Sequence, residues 1–277
     1  MTKLFRRPVK VPMRGAVVLI TGGGLGIGQL MAVEAARRGA KAVVIWDLTR
    51  ATETERLIAQ ANPATLVRLD EVDVTQNIDE VAAEVLAEFG RVDILINNAG
   101  IVTGKNFLEL TDADVERTFA VNTLSHYRTT RAFLPGMLER DRGSVVTIAS
   151  AAGLVGVARQ TDYSASKFGA VGFAESLRAE LRHHGSNVHT LLYCPYYIST
   201  GMFDGVKTRF SALLPILRPE KVAKQIIDAI EAGTQMKVAP PIVRLVQLIK
   251  PLPVPLIDTM LDIFGINSTM DDFTGRA

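Results

Sequence analysis

The chain has 277 residues, of which 48% are apolar and 22% charged, enough to bury an ordinary core and too apolar for a disordered chain. A net charge of +2 gives no electrostatic reason to expect a nucleic-acid partner. The single Cys194 excludes an intrachain disulfide framework and suits a reducing, cytoplasmic setting. His126, His183, His184 and His189 show no ligand spacing with Cys or acids, so no metal site is expected.

The charge is unevenly spread: Lys3, Arg6, Arg7, Lys10 and Arg14 put five positive charges and no acids in the first fifteen residues, and the remainder nets −3. Such a basic extension, residues 1–14, reads as a solvated arm or a contact for anionic lipid. It does not read as a signal peptide, because no apolar segment follows before Val17, and no uninterrupted run of 18 apolar residues occurs. No Pro/Gly/Ser-rich linker divides the chain, so one domain over 1–277 is expected, ending in an apolar extension over 241–277.

Apolar runs of strand length alternate with helical spacing along most of the chain. The runs predict strands at 16–20, 42–46, 66–72, 92–97, 143–149, 187–193 and 235–239, and helices at 26–38, 52–60, 76–89, 112–139, 161–184 and 219–232. The fourth helix is expected to bend or break at Pro135. Strict alternation implies an α/β fold, a doubly wound (Rossmann) parallel sheet flanked by helices, with ligands bound beyond the carboxyl ends of the strands.

The first such end is "TGGGLGIG", residues 21–28. No register of it fits G-x-G-x-x-G; its spacing is T-G-x-x-x-G-x-G. The physics is the same: glycines let a backbone pass close to another group, and free N–H groups at a helix start face an anion such as pyrophosphate. The second strand ends in Asp47, nineteen residues past Gly28, where an acid accepts bonds from ribose hydroxyls and repels a 2′-phosphate. NAD is therefore favoured over NADP, Leu25 offering no cation in the loop, although Arg50 lies near in sequence. Asp73, after the third strand, is a candidate for the adenine amino group, with Val74 against the ring. "NNAG", Asn97 to Gly100, ends the fourth strand.

Tyr163 and Lys167, four apart in "YSASK", share a helix face one turn apart. A phenol with a reference pKa of about 10 is a poor base at neutral pH, and an adjacent ammonium stabilises the phenolate. Ser150 ends the fifth strand, where it can donate to an alcohol or carbonyl oxygen. Asn122 lies inside a long predicted helix, where an amide is a poor helix former and needs a reason to be.

With these separated motifs in this order, the sequence resembles the short-chain dehydrogenase/reductase family from about Val17 to Thr200. The resemblance implies that Gly22, Gly26, Ile27 and Gly28 cradle the pyrophosphate, Asp47 holds the adenosine ribose, Asp73 and Val74 the adenine, and Asn98 and Gly100 the central part of the cofactor. It implies Tyr163 as general acid/base, Lys167 as the group that lowers its pKa and binds the nicotinamide ribose, Ser150 on the substrate oxygen, and Asn122 on a proton-relay water. Ile198 and Thr200 would meet the nicotinamide carboxamide and phosphate, although Pro195-Tyr196 stands where the family usually has Pro-Gly. "VNTLSHYRTTRAFLPGM", "CPYYISTGMF" and "STMDDFTGR" look like the branch of retinol dehydrogenases and membrane-associated 17β-hydroxysteroid dehydrogenases, which implies a small lipophilic alcohol or carbonyl substrate. A 3-oxoacyl-thioester reductase is a neighbouring reading, disfavoured by Asp47. A non-catalytic dinucleotide-sensing scaffold is another, disfavoured by the intact Ser150, Tyr163 and Lys167.

Beyond the sixth strand, Met202, Phe203, Val206, Phe210, Leu213, Leu214, Ile216 and Leu217 read as an apolar lid, about half of them packing on the sheet. Ile242, Leu245, Val246 and Ile249 form one helical stripe and Ile257, Met260, Leu261 and Phe264 another, with Lys237, Arg244 and Lys250 flanking. Three roles stay open for them: peripheral membrane contact, a homodimer or homotetramer interface, or a cap on the substrate pocket.

Overall fold

In a computed structural model, which describes residues 9–275, seven parallel strands form one sheet. They are β1 (Val17–Thr21), β2 (Ala42–Asp47), β3 (Leu66–Glu71), β4 (Ile94–Asn97), β5 (Ser144–Ile148), β6 (His189–Pro195) and β7 (Met236–Ala239), in the order β3-β2-β1-β4-β5-β6-β7. Strands β1, β4, β5 and β6 are buried along their whole length, which is why they read as continuous apolar runs instead of alternating ones. The edge strand β3 is only partly covered, and its Arg68 fans onto Asp70, Glu84 and Glu88 at 2.6–2.9 Å, a charged edge that discourages further strand pairing.

The helices are α1 (Gly26–Arg37), α2 (Thr52–Ala61), α3 (Asp79–Phe89), α4 (Asp112–Phe119), α5 (Ser125–Glu139), α6 (Thr161–His183), α7 (Pro219–Ala232), α8 (Val246–Ile249) and α9 (Val254–Ile263). One core packs α1, α2 and α7 on one face of the sheet, through residues such as Met31, Ile58 and Ile226. A second packs the other face around Trp46, Val85 and Phe133. A third lies beneath the C-terminal segment, with Tyr196, Tyr197, Leu214, Val243 and Met270.

The expected break at Pro135 is not there. Pro135 lies inside α5, which runs on to Glu139, so the missing N–H costs one backbone bond without ending the helix. The irregularity falls earlier, at Ala120–Leu124, where the helix widens into a π turn between α4 and α5. Side chains tied sideways explain it: Asn122 bonds Ile101 and Ser166, and Thr123 donates to the Ser166 carbonyl at 2.7 Å.

Of the basic N-terminal extension, Lys3, Arg6 and Arg7 lie outside the described residues; Lys10 and Arg14 are exposed, whereas Val11 and Met13 are core residues. Among the described residues, no helix is long and apolar enough to cross a membrane.

Arg38 ties the end of α1 to α7, reaching Glu34, Asp228 and Glu231 at 2.7 Å each. Arg38→Met keeps the stem and leaves three carboxylates facing one another. It is expected to lower unfolding stability by about 1–2 kcal/mol, read as a lower urea midpoint. An unchanged midpoint would show that the network contributes nothing.

Candidate active site

Strand order reverses between β1 and β4, and the crevice over their carboxyl ends is a cleft of about 650 Å³. Thr21 and Asn98 shape it. The Thr21 hydroxyl oxygen accepts from the backbone N–H of Asn98 and Ala99 at 3.0 and 3.1 Å, and the Asn98 amide donates to the carbonyls of Thr21 and Gly22 at 3.0 and 2.9 Å. These bonds pin the glycine loop against the β4 end. Gly22 has φ +64°, and a Cβ there would lie 2.9 Å from the Ala99 backbone, while a Cβ on Gly28 would collide with the Gly22 carbonyl. At the N-terminus of α1, Leu25 makes no side-chain cap and the first turn carries no acid, so its N–H groups remain available to an anion beside Gly26, Ile27 and Gly28. The loop thus fits a dinucleotide pyrophosphate.

Asp47 ends β2, and one of its carboxylate oxygens accepts from the Gly24 N–H at 2.8 Å, which fixes the group at the cleft wall. Leu25 and Leu48 flank it, both exposed; Arg50 is exposed as well but does not line the cleft. Asp73 and Val74 line the same end, and one Asp73 oxygen accepts from the backbone and hydroxyl of Thr75 at 2.9 and 2.7 Å.

At the other end, Ser150, Tyr163 and Lys167 line the cleft together. The Ser150 hydroxyl oxygen accepts from the Ala152 N–H at 3.1 Å, which leaves its proton to donate, and it also bonds the Tyr163 side chain. Lys167 Nζ donates to the Ile148 carbonyl at 3.0 Å and stands 5.8 Å from the centre of the Tyr163 ring. Burial pushes the Tyr163 phenol above its ordinary value, and the Ser150 bond pulls it the other way. Burial lowers Lys167 itself to about 8.

Gly100, Asn98, Ile198 and Thr200 also line the cleft. Despite Tyr196 in place of glycine, the path to Ile198 is fixed: Tyr196 N–H bonds Ala239, and Ile198 pairs with Leu217 in a short parallel bridge. Asn122 does not line the cleft. It is fully buried behind it, with Oδ1 accepting from the Ile101 N–H at 2.8 Å and Nδ2 donating to the Ile101 carbonyl at 2.9 Å and to Ser166 at 3.0 Å.

Residues that sequence reasoning did not assign also shape the site. Phe203, named only as one of a greasy series, stands edge-on to Tyr163 at 5.7 Å and to Tyr197 at 5.1 Å. Asp162, beside Tyr163, is buried and accepts from the hydroxyls of Thr103 and Thr118, which fastens the start of α6. A second, apolar cavity of about 210 Å³ opens off Ser150, Tyr196 and Phe203. The whole first tail stripe, Ile242, Leu245, Val246 and Ile249, lines it together with Met260, Leu261 and Phe264 of the second, whereas Ile257 does not, so the tail caps a pocket. Of the predicted lid, Val206 and Leu214 are buried, while Phe210, Leu213 and Ile216 remain exposed.

Fold and site together define a dinucleotide-binding α/β oxidoreductase with a Ser-Tyr-Lys set. A family profile described as short chain dehydrogenase matches residues 16–209. Among curated proteins, the chain is 40% identical to a Bos taurus protein named Short-chain dehydrogenase/reductase family 16C member 6, over 96% of this chain and 86% of that one. It is 40% identical to Epidermal retinol dehydrogenase 2 of Mus musculus over 95% and 86%, and 37% identical to Retinol dehydrogenase 10-B of Danio rerio over 99% and 89%. A crystal structure of a short chain dehydrogenase/reductase from Burkholderia phymatum in complex with NAD superposes with a TM-score of 0.76 at 26% identity, covering 90% of this chain and 96% of that one. The chain belongs to the short-chain dehydrogenase family, and it is an oxidoreductase of the kind that includes the retinol dehydrogenases.

Burying an ammonium costs stability while Lys167 is charged in the unfolded chain and destabilised in the folded one. With a folded value of about 8 against 10.5, the unfolded state binds more protons between those limits, so this cost is full below pH 8 and fades as pH rises through the window. Lys167→Met is accordingly expected to be more stable than the parent by up to about 3 kcal/mol at pH 7, with the gap closing towards pH 10. A gap that widens over that range in denaturant titrations would refute this.

Proposed function

We propose that the protein transfers a hydride between NAD and the carbinol or carbonyl carbon of a small lipophilic alcohol or ketone. The observation that carries this reading is the junction of two spaces: Ser150 and Phe203 border both the dinucleotide-sized cleft and the apolar cavity, with Tyr163 on the cleft side. A substrate with its oxygen on Ser150 would leave its hydrocarbon part in the apolar cavity.

NAD, when bound, supplies the hydride acceptor and a positively charged ring. Ser150 turns its proton from Tyr163 to the reacting oxygen and holds that oxygen beside Tyr163. In the oxidation direction Tyr163 would accept the proton from the alcohol oxygen as the hydride leaves the carbon that bears that oxygen; in reduction it would return the proton to the carbonyl oxygen. A phenol raised by burial needs positive charge nearby to act as a base, and Lys167, together with the oxidised ring, would supply it. Asn122 has both ends of its amide engaged, so a relay water would be held by the main chain of the widened turn. The apolar walls and the Phe203 ring exclude bulk water. Asp47 selects NAD through its unpaired carboxylate edge, and Leu25 and Leu48 leave a 2′-phosphate no cation.

Exposed Leu245, Leu248, Leu252, Val254 and Leu256, with Arg244 and Lys250 among them, support peripheral contact with a membrane. Exposed Leu124, Tyr127 and Leu138, on and next to α5, support self-association.

Tyr163→Phe is expected to lower kcat by about 10²–10⁴ while NAD affinity stays within about threefold, measured by NADH formation and by calorimetry. Unchanged turnover would remove Tyr163 from the chemistry. Asp47→Ser should bring kcat/KM with NADP to within about tenfold of that with NAD, and a parent that uses both equally would overturn the assignment of NAD.

A further inference from the structure

The edge of the sheet opposite the cleft carries charge that the hydride reaction does not use. Strands β1, β4 and β5 are neighbours, and the residues just ahead of them line a cavity of about 160 Å³ at their amino ends. Four arginines stand around it: Arg14 ahead of β1, Arg91 ahead of β4, and Arg140 and Arg142 between α5 and β5. All four are exposed, so a dissolved or surface-borne anion can reach them.

The one carboxylate lining this cavity, Asp93, is already engaged. It accepts from the Val17 N–H at 2.9 Å and pairs with Arg91 Nε at 2.9 Å, which ties the start of β1 to that of β4. Arg140 donates one N–H to the Val92 carbonyl at 3.2 Å and keeps the rest of its guanidinium. Among the described residues, no hydrogen bond or ion pair engages the guanidiniums of Arg14 and Arg142. Elsewhere this molecule balances its cations the other way: Arg38 meets Glu34, Asp228 and Glu231, and Arg68 meets Asp70, Glu84 and Glu88. Here four guanidiniums share one carboxylate. The sequence leading into the cavity at Val11 adds no counter-charge, since residues 1–10 hold Lys3, Arg6, Arg7 and Lys10 and no acid. Like charges brought together from three strand starts repel one another, and a bound anion removes that cost.

We propose that this cavity binds a phosphate group, at a site separate from the dinucleotide cleft on the other edge of the sheet. Arg14 and Arg142 present unengaged planar forks, whose spacing of donors matches two phosphate oxygens at once. Arg140 and Arg91 add charge from the wall, and Asp93 fixes the direction of Arg91. A doubly charged phosphate monoester meets the excess of positive charge better than a carboxylate does, so the site discriminates between the two. Such a phosphate belongs either to a small phosphorylated compound or to a lipid headgroup, and the chemistry of recognition is the same for both.

The test uses protein saturated with NAD, so that the glycine loop is already filled. Inorganic phosphate titrated into it calorimetrically should show one site, and acetate should bind at least about tenfold more weakly. Arg14→Gln/Arg142→Gln should weaken phosphate binding by about tenfold or more, because it removes two charged donors that support nothing else in the fold. Arg131→Gln/Arg178→Gln takes away the same charge outside the cavity and should change affinity by less than about twofold. A second arm sediments the protein with vesicles of phosphatidylcholine alone or with about one part in five of phosphatidic acid. Sedimentation that requires phosphatidic acid and is lost in Arg14→Gln/Arg142→Gln assigns the phosphate to a lipid; phosphate binding without it assigns a soluble compound. The site is overturned by the absence of both kinds of binding, by acetate binding as tightly as phosphate, or by binding that survives in Arg14→Gln/Arg142→Gln. Equal losses in the two double variants overturn it too, because they would reflect net charge alone.

Discussion

The site depends on one reciprocal exchange at the point where β1 and β4 end side by side. Thr21 takes two backbone N–H groups from the β4 end, and Asn98 gives two bonds back to the β1 end. The two strands diverge from here into loops that run to opposite sides, so without these four bonds neither loop has a fixed edge. The glycines are small because this clamp brings the two backbones together, and α1 starts where it does because the loop cannot swing away. Asp47, held by Gly24, extends the same rigid rim to the next strand.

The reacting end is organised by a different principle. Ser150, Tyr163 and Lys167 are all nearly excluded from water, and two of the three ionise at a cost there. A dry site strengthens every charge that a ligand brings, which suits a reaction whose charge develops only when cofactor and substrate are both in place. The Ile148 carbonyl is what keeps the Lys167 ammonium tolerable in the meantime, a main-chain acceptor at the end of a strand that no side-chain substitution can remove. Asp162, with two threonine hydroxyls on it, fixes the first turn of α6 so that Tyr163 is presented from a rigid element.

Much of this was legible from the chain. Parallel strands covered on both faces leave unbroken apolar runs such as "AVVIW", so all seven strands were readable to within about two residues. The glycine loop, Asp47, Ser150, Tyr163 and Lys167 were visible because each closes a strand or shares a helix face, and the cleft gathers them. Pro135 misled because proline marks local cost, whereas the widening at Ala120–Leu124 arises from tertiary bonds made by Asn122 and Thr123. The tail stripes were legible as amphipathic, with a cap on the pocket as one of three open roles, since periodicity reports that a face is covered and not by what. Tyr196 was visible only as the departure from Pro-Gly, because its place beside both spaces is a property of the whole neighbourhood.

Phe203 bears on how such a pocket could open. Its ring lies against Tyr163 on one side and Tyr197 and Phe273 on the others, and Gly104 has no side chain where Phe273 rests. Residues 270–274 are in turn strapped down, the carbonyls of Met270 and Asp271 taking the Arg159 guanidinium and Thr274 bonding Asp204. A ring above the phenol is therefore packed against a strap about seventy residues further along the chain. A side chain added at Gly104 would meet the Phe273 ring, so a change in that strap would reach the ring packed on Tyr163 without touching Ser150, Tyr163 or Lys167 themselves.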